Sequence, residues 1–249
     1  MTFRVATLNL ERNEKRWSER RELIIDQLAI LKPDIFALNE IWLPVQTGRW
    51  LKQVAERNLG LNYTLVEQPK TAEPPQVEAE GLLSRFPIVA RAHHFYPAGD
   101  TVALVVRLEI EGRLADIYVT HLYPSRREDS LRVAQVKQLL EWVEGRNDVR
   151  EKIVCGDFNA TLEMHSAKLM TKTFRPTQTS PTAFSPLTEL NGNSTHEDWD
   201  RLDRCIDYIW ISDSLRVRAS GLCFNQAAKD DPTLWPSDHV GVWADLEIV

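Results

Sequence analysis

The residues suited to handling a charged substrate sit at the ends of apolar runs in this chain. Asn9 closes the run that begins the protein, Glu40 ends "DIFALNE", His121 ends "ADIYVTH", Asp157 and Asn159 end "IVCGDFN", and Asp238 and His239 stand together where "WPSDHVGVWADLEIV" enters its last run. Strand ends are where a rigid scaffold holds chemistry in place. Each residue alone has an ordinary reading, as a turn former, a cap or a solvated end. Together, an amide, a glutamate, an imidazole, an aspartate with an asparagine and an aspartate with a histidine are hard to assign to solubility. Asp157 and Asn159 are two residues apart, so on a strand their side chains share a face and can converge on one ligand. Asp207 shares parity with Ile209 and Ile211 inside "CIDYIWI", which makes it a buried carboxylate that needs a partner. His239 supplies one if the last strands lie near each other.

The elements that must position these groups read as alternating strands and helices. "FRVATLNL" is a strand from Phe3 to Leu10. An amphipathic helix follows from about Ser18 to Leu31, with Ile24, Leu28 and Leu31 on one stripe and Pro33 ending it. "DIFALNE", "GRWLKQVAERN" and "LNYTLVE" continue as strand, helix and strand. Glu67 to Gly81, rich in Pro and Glu, reads as an exposed loop before a strand resumes at "GLLS". Two period-two runs meeting at Glu111-Gly112 predict an antiparallel hairpin. "EDSLRVAQVKQLLEWVEGRND" predicts a helix with Val133, Val136, Leu140 and Val143 on its apolar stripe, and with Arg132 and Gln135 turned inward beside Leu139. After the strand "KIVCGDFNA" and a short helix at "HSAKLMTK" comes a long polar loop, from Arg175 to Asp203. Three strands, "CIDYIWIS", "LRVRASGLCF" and "HVGVWADLEIV", close the chain. Strand-helix units in both halves allow two packed sheets with helices outside.

With 249 residues, of which 43% are hydrophobic and 27% charged, the chain can bury a large core, and one domain over residues 1–249 is expected. A formal net charge of -6 argues against binding nucleic acid through bulk positive charge, although a local basic groove is compatible with it. Cys155, Cys205 and Cys223 are widely spaced and form no CxxC, so neither zinc nor a disulfide framework is expected. The N-terminus lacks the layout of a signal peptide, and no apolar run approaches the roughly 18 residues of a membrane span. The expectation is a soluble, cytoplasmic monomer.

"TLNL", "LNE", "GLLSRFPI", "THL", "GDFN", "IDYIW" and "SDH" resemble, in this order, motifs of the endonuclease/exonuclease/phosphatase superfamily across almost the whole chain. The resemblance implies an α/β (α+β) fold, a four-layer αββα sandwich of two mixed, mainly antiparallel sheets. It implies metal-dependent cleavage of a phosphate ester at one end of those sheets. It maps Glu40 to the principal metal carboxylate, with Asn9 and Asp238 as further ligands. Asn39 stands where many members carry Gln, a difference that bears on how Glu40 is oriented.

Such oxygen ligands suit Mg²⁺, or Mn²⁺ in its place, better than zinc. His239, oriented by Asp207, is the leading candidate to activate water, and Asp157 competes for that role. Asn159 and His121 can donate hydrogen bonds to the phosphate oxygens in the transition state. Arg132 either buttresses the site or a phosphate, or makes a plain salt bridge. Basic residues in "ERNEKRWSERR" and "SRRED" can bind phosphates or simply solvate helix surfaces, and Trp42, Trp50 and Trp235 can stack on a base, touch a lipid or pack in the core. The substrate is therefore a nucleic acid, a phospholipid or a phosphorylated small molecule. Nuclease is the leading specific activity, with sphingomyelinase-like or inositol-phosphatase-like esterases next and a catalytically inactive binding module last.

Overall fold

Period-two alternation builds two six-stranded sheets. The computed structural model describes residues 2–12, 14–97, 99–124, 128–178 and 205–249. The first sheet contains β1 (Thr2–Asn9), β2 (Ile35–Trp42), β3 (Thr64–Pro69), β4 (Glu78–Ser84), β11 (Leu215–Cys223) and β12 (Gly241–Ile248), in the order β11-β12-β1-β2-β4-β3. The second contains β5 (Ile88–Phe95), β6 (Val102–Ile110), β7 (Arg113–His121), β8 (Glu151–Asp157), β9 (Arg175–Pro176) and β10 (Asp207–Ile211), in the order β5-β6-β7-β8-β10-β9. Only β1 with β2 and β7 with β8 pair in parallel among these strands. The sheets are thus mixed and mainly antiparallel, as expected.

Alternate residues of each strand face opposite layers. Val5, Ile35, Ala37, Leu82, Ile117, Val119, Ile153, Cys155, Ile209 and Val242 meet in the layer between the sheets. Ala6, Leu8, Phe36 and Leu38 point the other way, against Ile24, Leu28 and Leu51 of the helices α1 (Trp17–Leu31) and α2 (Thr47–Leu59). On the far side, Val105, Tyr118, Val154 and Trp210 pack against Val136, Leu139 and Met170 of α3 (Ser130–Glu144) and α4 (His165–Met170). Among the described residues, no helix is long and apolar enough to cross a membrane.

Local chemistry explains most boundaries. Lys32 takes the left-handed conformation after α1 and returns its N–H to the Leu28 carbonyl, and Pro33 then prevents continuation. Glu111 and Gly112 both have positive φ, 52° and 76°, the geometry that a two-residue hairpin requires. Two expectations need correction, and one strand carries no signal in the sequence. The acidic segment 67–81 is exposed only in its middle: β3 runs to Pro69 and β4 begins at Glu78, because Lys70 is placed to offset the buried carboxylates of Glu78 and Glu80. β5 is a strand that the alternation pattern does not reveal, since its residues are half-buried or exposed on both faces. The buried stripe of α3 is Arg132, Gln135, Val136, Leu139 and Val143, with Val133 and Leu140 only half-buried. The polar loop predicted from Arg175 to Asp203 lies outside the described residues beyond Gln178.

The two polar members of that stripe are buried because the neighbouring loops satisfy them. Gln135 accepts the Tyr123 N–H at 2.9 Å and donates to Thr101 Oγ1 at 2.7 Å. Arg132 donates to Asp129 Oδ1 at 2.9 Å and to the Tyr123 carbonyl at 3.1 Å. Asp129 also accepts the N–H and hydroxyl of Ser166, at 2.9 and 2.6 Å, and so joins α3 to the start of α4. Burial opposes its charge, but the Ser166 and Arg132 donors outweigh burial and hold the carboxyl below its ordinary value. A depressed carboxylate stabilises the fold above its unfolded pKa, near 3.9, and loses that contribution as pH falls through the folded value. Asp129→Asn is expected to cost about 1–2 kcal/mol at pH 7 and progressively less below pH 4, read by denaturant titration at both pH values. A cost that stays constant with pH would contradict this account.

Candidate active site

The parity that fills the middle layer with apolar side chains also delivers its polar end. Asn9 follows Val5 and Thr7, Asn39 follows Ile35 and Ala37, His121 follows Ile117 and Val119, and Asp157 follows Ile153 and Cys155. Asp207 precedes Ile209 and Ile211, while Glu78 and Glu80 precede Leu82. All of these side chains therefore enter the gap between the sheets from their ends. Glu40 has the wrong parity for this, and an irregularity corrects it. The β2–β4 register shifts between Leu38 and Ile41, and Glu40 itself has φ 56°. Such a bulge re-aims a side chain.

Asn39 stitches the two sheets together. Its amide donates to Glu80 Oε2 on β4 and to the Thr120 carbonyl on β7 at 3.1 Å, and its oxygen accepts the Asp157 N–H on β8 at 2.9 Å. Asn39 thus positions Asp157. Gly156 makes room for this contact. Its φ is 131°, and a Cβ there would lie 2.0 Å from the Thr120 carbonyl oxygen and 3.0 Å from Asn39 Oδ1.

Asp157 is the hub of the site. Its Oδ1 accepts the Asn159 N–H at 2.8 Å, and its Oδ2 lies 3.3 Å from Asn9 Nδ2, 3.4 Å from His121 Nε2 and 3.7 Å from His239 Nε2. Burial and the charge of Asp207 push its pKa up to about 7. His239 Nδ1 sits 2.8 Å from Asp207 Oδ2, so the pair spans the gap between β10 in one sheet and the segment before β12 in the other. Proximity thus comes from facing sheets, not from neighbouring strands. Burial alone would lower the imidazole, but the Asp207 and Asp157 carboxylates hold it well above its ordinary pKa. His121 behaves oppositely: burial and the Lys70 ammonium push it well below its ordinary value. Lys70 Nζ approaches His121 Nδ1 at 2.9 Å, so that nitrogen must accept, and the N–H resides on Nε2, facing Asp157.

A second acidic group surrounds Lys70. Glu40, Glu78 and His121 each present one ligand atom, all within 4.8 Å of one another. Glu40 accepts from Asn9 Nδ2 at 3.0 Å and from the Arg12 N–H at 2.7 Å. Burial works against its charge, yet the Lys70 ammonium and these donors hold its carboxyl below its ordinary value. Glu80, fully buried, is driven by burial up to about 8. Nearby, Arg20 is buried in α1 and pairs with Glu11 at 3.1 Å, and Glu11 in turn accepts the Asp238 N–H at 3.1 Å. Ser237 Oγ receives the His239 N–H and donates to the Asn9 carbonyl at 2.6 Å. Asp238 and His239 therefore lie in a held loop ahead of β12, where consecutive side chains can take separate directions.

The donor set fits a hard divalent cation. Oxygen atoms dominate it, Asp207 Oδ1 is buried with no hydrogen-bond partner, and burial with the Glu11 charge pushes Asp238 up to about 7. Burial disfavours the ionised forms of Asp157 and Asp238 unless positive charge joins them. Of the ligands expected from sequence, Glu40 is grouped with Glu78 and His121, whereas Asn9 uses its amide nitrogen on Glu40 and its oxygen on the Glu11 N–H at 2.9 Å. Asn159 gives one hydrogen to the Leu122 carbonyl at 2.9 Å and retains a second.

Arg132, with its guanidinium buried against Asp129 and the Tyr123 carbonyl, braces the chain after β7. Among the basic residues near Asn9, Arg12 pairs with Glu78, Arg16 with Glu19 and Asp231, and Arg21 with Glu22. Residues 125–127 of "SRRED" lie outside the described residues. Half-buried Trp50 and Trp17 pack edge-on to each other against the core under the helices, and Trp235 packs against the middle layer. Lys70, Glu78, Glu80, Glu11 and Arg20 were not identified from sequence. The one available signal was the period of two that runs from Leu82 back through Glu80 to Glu78.

The architecture has close counterparts. A model of the endonuclease/exonuclease/phosphatase family matches residues 6–239. Nocturnin from Xenopus laevis is 27% identical over 262 residues, covering 93% of this chain, which spans 65% of that protein's length. The solved human nocturnin catalytic domain with bound sulfate anion aligns over 100% of this chain and 94% of its own, with a TM-score of 0.75 and 22% identity. D. rerio TDP2 complexed with single-strand DNA product aligns over 99% of both chains, with a TM-score of 0.80 and 14% identity. Matched along nearly its whole length in both sequence pattern and fold, the chain belongs to the endonuclease/exonuclease/phosphatase family.

Proposed function

We propose that this protein is a Mg²⁺-dependent, or Mn²⁺-dependent, hydrolase of phosphate esters, and specifically a phosphodiesterase of the nuclease type. The observation that carries this reading is the convergence of the Asp207–His239 pair, Asp157 and the Glu40–Glu78–His121 group at one end of the middle layer. Two relatives support the substrate class: the human nocturnin domain holds a sulfate anion, and D. rerio TDP2 holds a single-strand DNA product.

Glu40 would hold the cation with Glu78, with Asp238 and Asn9 completing the surroundings, while His121, whose Nδ1 accepts from Lys70, stays outside the ligand set. Bound there, a divalent ion supplies charge that neutralises a phosphate oxygen and the leaving group and offsets the carboxylates around His239. His239 takes the proton of the attacking water at Nε2. Asp207 fixes the opposite tautomer through Nδ1–H and supports the charge that the ring acquires. Asp157, 3.7 Å from Nε2, accepts that proton in turn or takes it directly. The Nε2–H of His121 and the second amide hydrogen of Asn159 donate to phosphate oxygens as their charge grows.

His239→Ala is expected to lower kcat/KM for bis-p-nitrophenyl phosphate in Mg²⁺ by at least about 100-fold, with the circular dichroism spectrum retained. Unchanged turnover would sink the assignment. Glu78→Gln and Glu40→Gln are each expected to weaken Mn²⁺ binding about tenfold or more by titration calorimetry. If both variants bind like the parent while Asp238→Asn does not, the ion sits on the Asp238 side instead.

A further inference from the structure

A cavity of about 530 Å³ opens beside the site, between the segment after β3 and the turn joining β5 to β6, lined by Lys70, Glu73, Pro74, Pro75, Phe95 and Asp100 among others. It adjoins the site through Lys70, which lines it and whose ammonium lies 2.9 Å from His121 Nδ1. Tyr96, also on its wall, donates or accepts a 3.0 Å hydrogen bond with Thr120, the residue before His121. Phe95 pairs with Val102 at the end of the second sheet where β7 delivers His121.

The walls are preformed. Thr71 Oγ1 donates to the Glu73 carbonyl at 3.0 Å, and the Gln76 amide donates to the Thr71 and Ala72 carbonyls at 3.3 Å. The Phe95 ring is held by an edge contact with His93 at 4.8 Å. A cavity of this volume matches those that hold small organic ligands. Its chemistry narrows the class. Phe95 and the two prolines offer apolar faces to a ring, and the exposed carboxylates of Glu73 and Asp100 accept hydrogens from hydroxyl or amino groups. With the Lys70 charge taken up by Glu78 and Glu80, the same two carboxylates repel any further phosphate.

Resting on the phosphate-ester hydrolysis proposed above, we infer that this cavity selects the organic group of the substrate: an uncharged, hydroxylated ring of sugar or nucleoside size, esterified to the reacting phosphate and bearing no second phosphate. The enzyme thus takes a terminal or small-molecule ester in preference to the interior of a polyanionic strand.

Three esters with one leaving group test this: methyl p-nitrophenyl phosphate, thymidine 5′-(p-nitrophenyl phosphate) and glucose 6-(p-nitrophenyl phosphate), each assayed with Mg²⁺. At least one ring ester is expected to exceed the methyl ester about tenfold in kcat/KM, mainly through KM. A gain for thymidine alone assigns the cavity to a nucleoside, and an equal gain for glucose assigns it to a sugar; either supports the inference. Phe95→Ala, or Phe95→Leu should the first fail to fold, is expected to cut the ring-to-methyl ratio at least fivefold. Adding a 3′-phosphate to the thymidine ester is expected to lower kcat/KM, and Asp100→Asn to recover part of the loss. A wild-type ratio near one, or a ratio unmoved by the Phe95 variants at a wild-type thermal midpoint, overturns the inference while leaving the hydrolysis intact. Hydrolysis of none of the esters overturns the proposed reaction and this inference with it.

Discussion

The amide of Asn39 is the joint on which the rest of this end of the molecule hangs. It is uncharged and fully buried, and it meets β4, β7 and β8 from β2 through three hydrogen bonds. A charged side chain in that place would add another desolvated ion to an already acidic gap, and an apolar one would leave the Asp157 N–H and the Thr120 carbonyl without a partner. The amide satisfies a donor and two acceptors at once, so it fixes the spacing of strands that belong to different sheets. Gly156 is the complementary half of the joint, because only the absence of a Cβ lets β8 come close enough to Thr120.

Once the spacing is set, charge governs what the gap can contain. Glu11, Glu40, Glu78, Glu80, Asp157, Asp207 and Asp238 face a smaller number of fixed cations, chiefly Lys70, Arg12 and Arg20. The fold responds by dividing its two histidines. His239, among carboxylates, is pulled towards the charged form, and His121, beside Lys70, is held neutral. Pairs of titratable groups whose surroundings drive them apart are a mark of acid-base function.

Much of this was legible in the sequence, because alternation is a local property that survives folding. The strands that carry Asn9, His121, Asp157 and Asp207 were readable from their apolar neighbours, and parity alone made Asp207 a buried acid in need of an imidazole. What was not legible depended on partners distant in the chain. Glu78 and Glu80 look like solvated charge beside Pro74 and Pro75 until Lys70 is seen to enter the same space. Arg132 looks equally able to serve a phosphate or a carboxylate until Asp129 and the Tyr123 carbonyl claim it. Glu40 reaches the site through a backbone irregularity that no alternation pattern announces, and Glu11 matters only because Arg20, buried in a helix, turns it towards Asp238.

The Asp207–His239 hydrogen bond bridges two sheets whose separation is set by the side chains packed between them. Interiors are packed as densely as crystals of small molecules and pass strain on rather than absorb it. A methylene gained or lost at Ile209, Ala37 or Val242 is therefore not confined to the middle of the sandwich. It alters the thickness of that layer, and the 2.8 Å contact at its rim registers the difference. The imidazole works as a gauge of how well the core is filled, and side chains that never meet a substrate share in setting its alignment.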